Sequence, residues 1–418
     1  MNSFLRVMFW TLSVITCGLV IFCAYHVERP LAIEWPLDSI AIWGAVAALV
    51  FTVGLFLSMP QTRNGRIGLV LGLFVLAFTC YASFETLHRT KFLYHVVDLS
   101  VNLESASGVA TKLGGVLVEP VNQFELPVVL LMPDASAESY ERNVYYAKAL
   151  ARRGVAAVAY GRSGGAAAGP LAAADLETRG ADILYVLDLL EKRTELNMSR
   201  AGIAGFSENE WIAPFAAQKT NRVDFVILLA PSGMQPVERV LANLDQELRS
   251  ENIAPEDIAA AKSLVSDLAE NLRTGDIGEK RTTLIQRWDA AKNTAWFKAA
   301  GFPDEVPQAG NLSAATTSLS FDAPAVWGEI KVPVLILAGA NDPLSLPETL
   351  RDRFTQYFGK NEKSEWKLQI IPNANHKMLT GADSYGALDA EFPAGLFDSL
   401  ATWVKEATKP ASLALASH

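Results

Sequence analysis

Three long uncharged runs open the chain. Residues 7–25, 39–62 and 67–84 contain no Asp, Glu, Lys or Arg. Each is long enough, or nearly so, to cross the ~30 Å hydrocarbon core of a bilayer as a helix. The pattern predicts three transmembrane helices, at about 7–25, 39–60 and 67–86, in a membrane region covering 1–91. A cleaved signal peptide is the alternative for the first run, but a small-x-small cleavage pattern is missing, since Ala24 has Phe22 two positions before it. With the N-terminus inside, Arg6, Arg63 and Arg66 balance Arg29, Arg89 and Lys91 on the opposite side. The acid-free basic loop from Gln61 to Arg66 favours the inside. The expectation is a multi-pass membrane protein, with the lipid bilayer as a partner and the large C-terminal part on the extracytoplasmic side.

From about residue 92 the period changes. Tyr94 to Asn102 and Gly114 to Pro120 alternate or run apolar over short lengths, as strands do. Leu126 to Met132, Val155 to Tyr160, Ala201 to Gly205, Val223 to Leu229, Val332 to Leu337 and Trp366 to Ile371 read as further strands. Between them, Glu138 to Arg153, residues 173–192, Glu208 to Gln218, Pro347 to Phe358 and Phe392 to Ala407 carry apolar residues at helical spacing. Strands alternating with helices imply a mainly parallel, doubly wound α/β sheet covered on both faces. Ligand sites in such sheets lie beyond the carboxyl ends of the strands.

Residues 235–322 interrupt the alternation with charged, helical sequence containing Trp288, Trp296 and Phe297. This divides the rest into a core, 92–234 and 323–410, and a helical insertion that reads as a cap over the crevice. The bland reading of the aromatics is that they form the insertion's own small core, which fits Trp288 at least as well.

Composition narrows the chemistry. From residue 92 onward 30 Lys and Arg face 41 Asp and Glu, which argues against nucleic acid as a partner. Cys17, Cys23 and Cys80 are the only cysteines. All fall in the N-terminal runs, so the core has no disulfide framework, Cys–zinc site or cysteine nucleophile. The turn Gly161 to Gly165 lacks the Gly-Lys-Ser/Thr ending of a phosphate loop. Nothing calls for a cofactor or a metal.

Three residues carry the chemistry. Ser207 ends the run Ala201-Gly-Ile-Ala-Gly-Phe-Ser207 and leads into a helix, the layout of a strand–turn–helix elbow that holds a hydroxyl out at its tip. Asp342 follows the strand Val332 to Leu337, and His376 follows Trp366 to Ile371. A serine hydroxyl is a weak nucleophile until an imidazole takes its proton, and a carboxylate must fix that imidazole's tautomer. Singly, each would be a turn serine, a solvated loop acid or a surface histidine; in this order, each at a strand end, they point to a triad. Asp322, a rival acid, precedes its strand and reads as structural. Glu208 and Glu210 read as helix N-terminal acids favoured by the dipole, with a cation-binding role as the alternative.

These stretches resemble the α/β-hydrolase superfamily. Within it they are similar to a bacterial esterase and acyl-peptidase-like group, of dienelactone-hydrolase or serine-aminopeptidase type, whose elbow reads Gly-His-Ser-x-Gly-Gly-Trp-Ile-Ala-Pro. Here the stretch is Gly205-Phe-Ser207-Glu-Asn-Glu-Trp211-Ile-Ala-Pro214. The similarity covers roughly 112–407 and includes Ala151 to Gly154, Tyr160 to Arg162, Ala338 to Asp342 and Asn373 to His376. It implies that Ser207 is the nucleophile, His376 the general base and then acid, and Asp342 the orienting carboxylate. The implied oxyanion donors are the backbone amides of Glu208, Ala135 and Asp134. Two departures stand out. Asn209 and Glu210 occupy positions where the family has glycines, and Met132-Pro-Asp134-Ala135-Ser136 replaces a His-Gly loop. Asp134 and Glu208 would disfavour an oxyanion if they pointed inward. The expectation is a membrane-anchored serine hydrolase that cleaves a carboxylic ester, with a small-molecule acyl substrate. A peptidase or acyltransferase on the same triad, or a binding protein that has lost its oxyanion hole, are the alternatives.

Overall fold

The computed structural model describes residues 63–88, 93–104, 110–123, 125–134, 136, 138–163, 176–192, 198–275, 277–308, 318–359, 365–385 and 390–409, with parts of 11–53. Its centre is an eight-stranded sheet in the order β1-β2-β4-β3-β5-β6-β7-β8. The strands are β1 Tyr94–Glu104, β2 Ala110–Pro120, β3 Leu126–Leu131, β4 Ala156–Ser163, β5 Met198–Phe206, β6 Phe225–Leu229, β7 Val334–Gly339 and β8 Trp366–Ile371. β2 is antiparallel to both β1 and β4, whereas β3 to β8 run parallel. The antiparallel edge follows from connection length. Five residues separate β1 from β2, enough for a hairpin but far too few for a parallel crossover.

The helices are α1 Arg63–Leu87, α2 Ser139–Ala151, α3 Leu176–Glu191, α4 Asn209–Lys219, α5 Pro236–Ser250, α6 Pro255–Thr274, α7 Glu279–Ala291, α8 Ala295–Ala299, α9 Ala323–Gly328, α10 Pro347–Phe358 and α11 Leu396–Ala407. Alternate residues of each strand feed two separate cores. Val128 and Leu130 of β3 pack with Ile183 of α3, Trp211 of α4, Trp327 of α9 and Phe354 of α10. Val129 and Leu131 pack on the other face with Tyr146 of α2 and with Leu400 and Val404 of α11. Burial on both sides is why these strands read as unbroken apolar runs.

Helices α5 to α8 lie between β6 and β7 and build a third apolar cluster around Trp288, Trp296 and Phe297. Trp288 is 1 % exposed, and its indole N–H donates to the Pro303 carbonyl at 2.8 Å. It belongs to the insertion's own core.

The N-terminal reading requires correction. Among the described residues no helix is long and apolar enough to cross a membrane, so the three-span, multi-pass placement and the orientation drawn from it do not stand. The first two runs, 7–25 and 39–60, lie largely outside the described residues. The third forms α1, and its physical flaw is visible. The apolar stretch Ile67–Phe78 is 12 residues, about 18 Å of helix, against a hydrocarbon core of about 30 Å. Beyond it come Thr79, Ser83, Glu85 and Thr86, of which Thr79, Ser83 and Thr86 are buried. A run without charge is not the same as a run without polar groups.

Candidate active site

Ser207 occupies the sharp turn between β5 and α4 with φ of 48°. A left-handed conformation is sterically unfavourable for a residue with a Cβ. It persists here because the turn is bonded on both sides. The Ser207 amide donates to the Leu229 carbonyl of β6 at 2.9 Å, and its carbonyl accepts from the Glu210 amide at 3.0 Å. Gly205 makes the turn sterically feasible, since a Cβ there would sit 2.4 Å from the Asn209 Cβ and 2.4 Å from the Met132 methyl. The bulk that Asn209 brings to a position where small residues are usual is absorbed two residues before the serine.

Asp342 and His376 meet. His376 Nδ1 lies 2.7 Å from Asp342 Oδ2, and the Asp342 side chain is fully buried. Burial acts to raise the Asp342 carboxyl, but the bond and charge of His376, the Leu344 amide and Ser345 outweigh it and hold it below the usual carboxylate range. The Leu344 amide donates to Asp342 Oδ1 at 2.8 Å. The two loops carrying this pair are stitched together, with Ala340 N–H on the Ile371 carbonyl and Asn341 N–H on the Ala374 carbonyl, both at 2.9 Å. Gly339 permits that approach: a Cβ there would stand 2.3 Å from the Ala374 oxygen. Asn375 shapes the histidine loop by accepting from the Lys377 and Leu379 amides.

The serine is not joined to this pair by a hydrogen bond among the described residues. Catalytic hydrogen bonds are often long without substrate and tighten when one is bound.

The loop after β3 differs from expectation. The Asp134 amide donates to Ser139 Oγ at 2.8 Å, which occupies one of the three anticipated oxyanion donors; Ala135 lies outside the described residues. The Asp134 carboxylate does not threaten an oxyanion, because it accepts from Arg142 at 2.7 Å and from the Ser136 amide at 2.9 Å. Burial opposes its ionisation, yet Arg142 and Ser136 hold its pKa below the ordinary value. Glu208 is likewise paired, with Arg179 at 3.5 Å.

Glu210 is more than a helix-dipole acid. Its buried carboxylate accepts from the Ser232 hydroxyl at 2.6 Å, the Ser232 amide at 3.1 Å and the Gly233 amide at 2.8 Å. Burial pushes its pKa up to about 7 against those bonds. It thus anchors the loop after β6, which Ser345 also grips through the Pro231 carbonyl at 2.5 Å. Asp322 caps α9 by accepting from the Ala325 amide, a structural role.

Arg142 and Arg179 escaped the sequence reading. Arg142 reaches Asp134 from α2 and lies 3.8 Å over the Phe206 ring, directly before Ser207. A signal did exist for Arg179: it is the single basic residue of α3, followed by glycine.

Neither a protein-family model nor a curated protein matches the chain. Among solved structures, a lipase in its open form aligns at 16% identity over 75% of this chain and 100% of its own, with TM-score 0.47. Est1E from Butyrivibrio proteoclasticus aligns at 17% over 73% and 96%, TM-score 0.41. An esterase of Pyrococcus furiosus aligns at 13% over 75% and 89%, TM-score 0.40. Likeness of this order carries no functional weight, and the reading below stands on geometry.

Proposed function

We propose that the chain is a serine hydrolase of α/β-hydrolase type that cleaves a carboxylic ester through an acyl-enzyme. One observation carries this reading. A serine held at φ of 48° at a strand–helix turn shares a sheet edge with a hydrogen-bonded Asp–His pair two and three strands away. Backbone strain at a non-glycine residue is among the features that cluster at active sites.

In this mechanism Asp342 accepts from His376 Nδ1–H, which fixes the tautomer and leaves Nε2 as the base. Ser207 Oγ attacks the ester carbonyl while Nε2 takes its proton. The C–O bond to the alcohol breaks, and the imidazolium returns the proton to the leaving oxygen. Water, deprotonated by the same nitrogen, then attacks the acyl carbon; the bond to Ser207 Oγ breaks, the imidazolium returns the proton to that oxygen, and the acid is released. The oxyanion would be met by the Glu208 amide at the start of α4 and by the Ala135 amide. The helical insertion would act as a cap that selects the acyl group.

The engaged Asp134 amide and the unbonded Ser207 hydroxyl favour a second reading, in which the fold binds acyl ligands without turning them over. A fluorophosphonate probe and p-nitrophenyl acetate separate the two. The hydrolase reading expects wild type to be labelled and to turn over the ester, Ser207→Ala to lose both, and Asp342→Asn to lose about 10³–10⁴-fold in kcat. Absence of labelling and turnover in folded wild type supports the binding reading instead.

A further inference from the structure

The guanidinium of Arg179 touches three separate pieces of the site. Its Nη2 donates to the Pro133 carbonyl at 2.9 Å and to Asn209 Oδ1 at 2.5 Å, while Nη1 pairs with Glu208 at 3.5 Å. Pro133 lies in the loop after β3, and Glu208 and Asn209 are the two residues that follow Ser207. Asn209 completes the connection, since its Nδ2 donates to the Met132 and Pro133 carbonyls, each at 3.4 Å.

The backbone is arranged to allow this reach. Gly180, next to Arg179, lets α3 approach α4 closely, because a Cβ there would meet the Phe215 ring at 3.1 Å. Beside the guanidinium is a cavity of about 20 Å³ of mixed lining, with Tyr160, Arg179, Asp182 and Asn209 facing Met132, Pro133 and Ile212, large enough for one water. The cluster therefore joins α3, the loop after β3 and the nucleophile turn, just beyond the bond from the Met132 amide to the Ala204 carbonyl at 2.9 Å.

We propose that Arg179 is a positioning residue of the site. It clamps the backbone after β3 to the first turn of α4, and its pairing with Glu208 offsets a carboxylate beside the Ser207 turn. The donors from the two segments then keep the separation that a developing oxyanion requires. The planar guanidinium matters, because Nη2 directs its donors at Pro133 and Asn209 while a second nitrogen, Nη1, faces Glu208, which the single nitrogen of a lysine ammonium cannot reproduce. This inference rests on the hydrolase reading for its catalytic consequence, whereas the clamp itself is a structural claim that is tested separately.

The experiment compares Arg179→Met and Arg179→Lys with Arg222→Met, a control that removes a half-buried arginine paired with Asp188 and Glu191 of α3. Amide hydrogen exchange in a peptide spanning residues 131–139 reads the clamp without turnover. Exchange at least tenfold faster in Arg179→Met and unchanged in Arg222→Met supports the clamp; unchanged exchange in Arg179→Met overturns it. With p-nitrophenyl acetate, kcat should fall about 10–100-fold in Arg179→Met and Arg179→Lys while KM stays within about twofold, the split expected when a transition-state donor is displaced. A loss of Tm with kcat and KM unmoved would reduce Arg179 to a structural residue and overturn the positioning role. If wild type itself neither labels nor turns over ester, the hydrolase reading falls, and the exchange result still decides the clamp.

Discussion

Strain at Ser207 is expected to be measurable as a stability difference. A left-handed conformation costs a residue with a Cβ roughly 1–2 kcal/mol and glycine almost nothing. Ser207→Gly should therefore be more stable than Ser207→Ala by about 1 kcal/mol in denaturant titration, the reverse of the order found in ordinary helix or strand positions. Both variants should be inactive. Glu210 offers a second test. Its folded pKa of about 7 lies above its unfolded value, so the folded state holds the proton more tightly. The unfolded state then binds fewer protons across the interval between the two values, and stability falls as pH rises through it. The window runs from about 4.5, the ordinary glutamate value, to about 7, and the loss is on the order of 3 kcal/mol. Asp342 and Asp134 have depressed pKa values, so their contribution is lost only as the pH falls through those lowered values, below this window. Glu210→Gln should flatten the fall in stability between pH 4.5 and 7 relative to wild type. An unchanged slope would show that the buried carboxylate does not titrate as its surroundings imply.

At the scale of elements, the site depends on how closely one loop can approach another. The β7 end and the histidine loop come together only because residue 339 lacks a side chain. Gly339→Ala would drive a methyl to 2.3 Å from the Ala374 oxygen and 2.7 Å from the Asn375 oxygen, and both are backbone atoms that cannot rotate away. Overpacking of this kind costs typically about 1–3 kcal/mol, and the shift moves His376 away from Asp342. Esterase activity should drop by more than tenfold while circular dichroism remains that of a folded α/β protein. These loops also show which parts of the fold were legible. Strands such as Trp366–Ile371 and helices such as Pro347–Phe358 were readable because burial on both faces, or on one stripe, writes itself into the order of apolar residues. The turn at Ser207 was readable because an apolar strand ends in Gly-Phe-Ser and runs straight into a helical segment, although Gly-x-Ser alone marks no more than a turn. The polar bracing was not. Arg142 meets Asp134 eight residues away and Arg179 meets Pro133 forty-six residues away, and such pairings are set by helix packing, which has no period in the chain. The engaged Asp134 amide was hidden for the same reason, since nothing in the order of residues marks Ser139 as its acceptor.

The whole molecule divides its apolar interior into pieces that share no residue. Two clusters sandwich the sheet, and a third, built on Trp288, Leu264 and Phe297, holds α5 to α8 together. The links from this insertion to the rest of the fold include polar contacts among the described residues. Glu238 of α5 pairs with Arg353 of α10 at 2.8 Å, and the Arg239 guanidinium of α5 lies 5.3 Å over the Trp211 ring of α4; a partly exposed ion pair of this kind contributes about 0–1 kcal/mol. Separate cores joined by weak ties should open separately. Trp288 packs edge-on against Phe297 and stacks on Phe302, so Trp288→Ala removes the centre of the insertion's core at a cost of about 3–5 kcal/mol. Hydrogen exchange should then accelerate throughout 236–300 while the amides of β5, β6 and β7 keep their protection. If the insertion also forms the substrate pocket, the same variant should raise KM for long-chain esters several-fold and leave that for p-nitrophenyl acetate unchanged, because a short acyl group has no need of the cap. Loss of protection in the sheet together with the insertion would mean that the two fold as one cooperative unit, and the weak polar contacts between them would then be an incomplete account of what couples them.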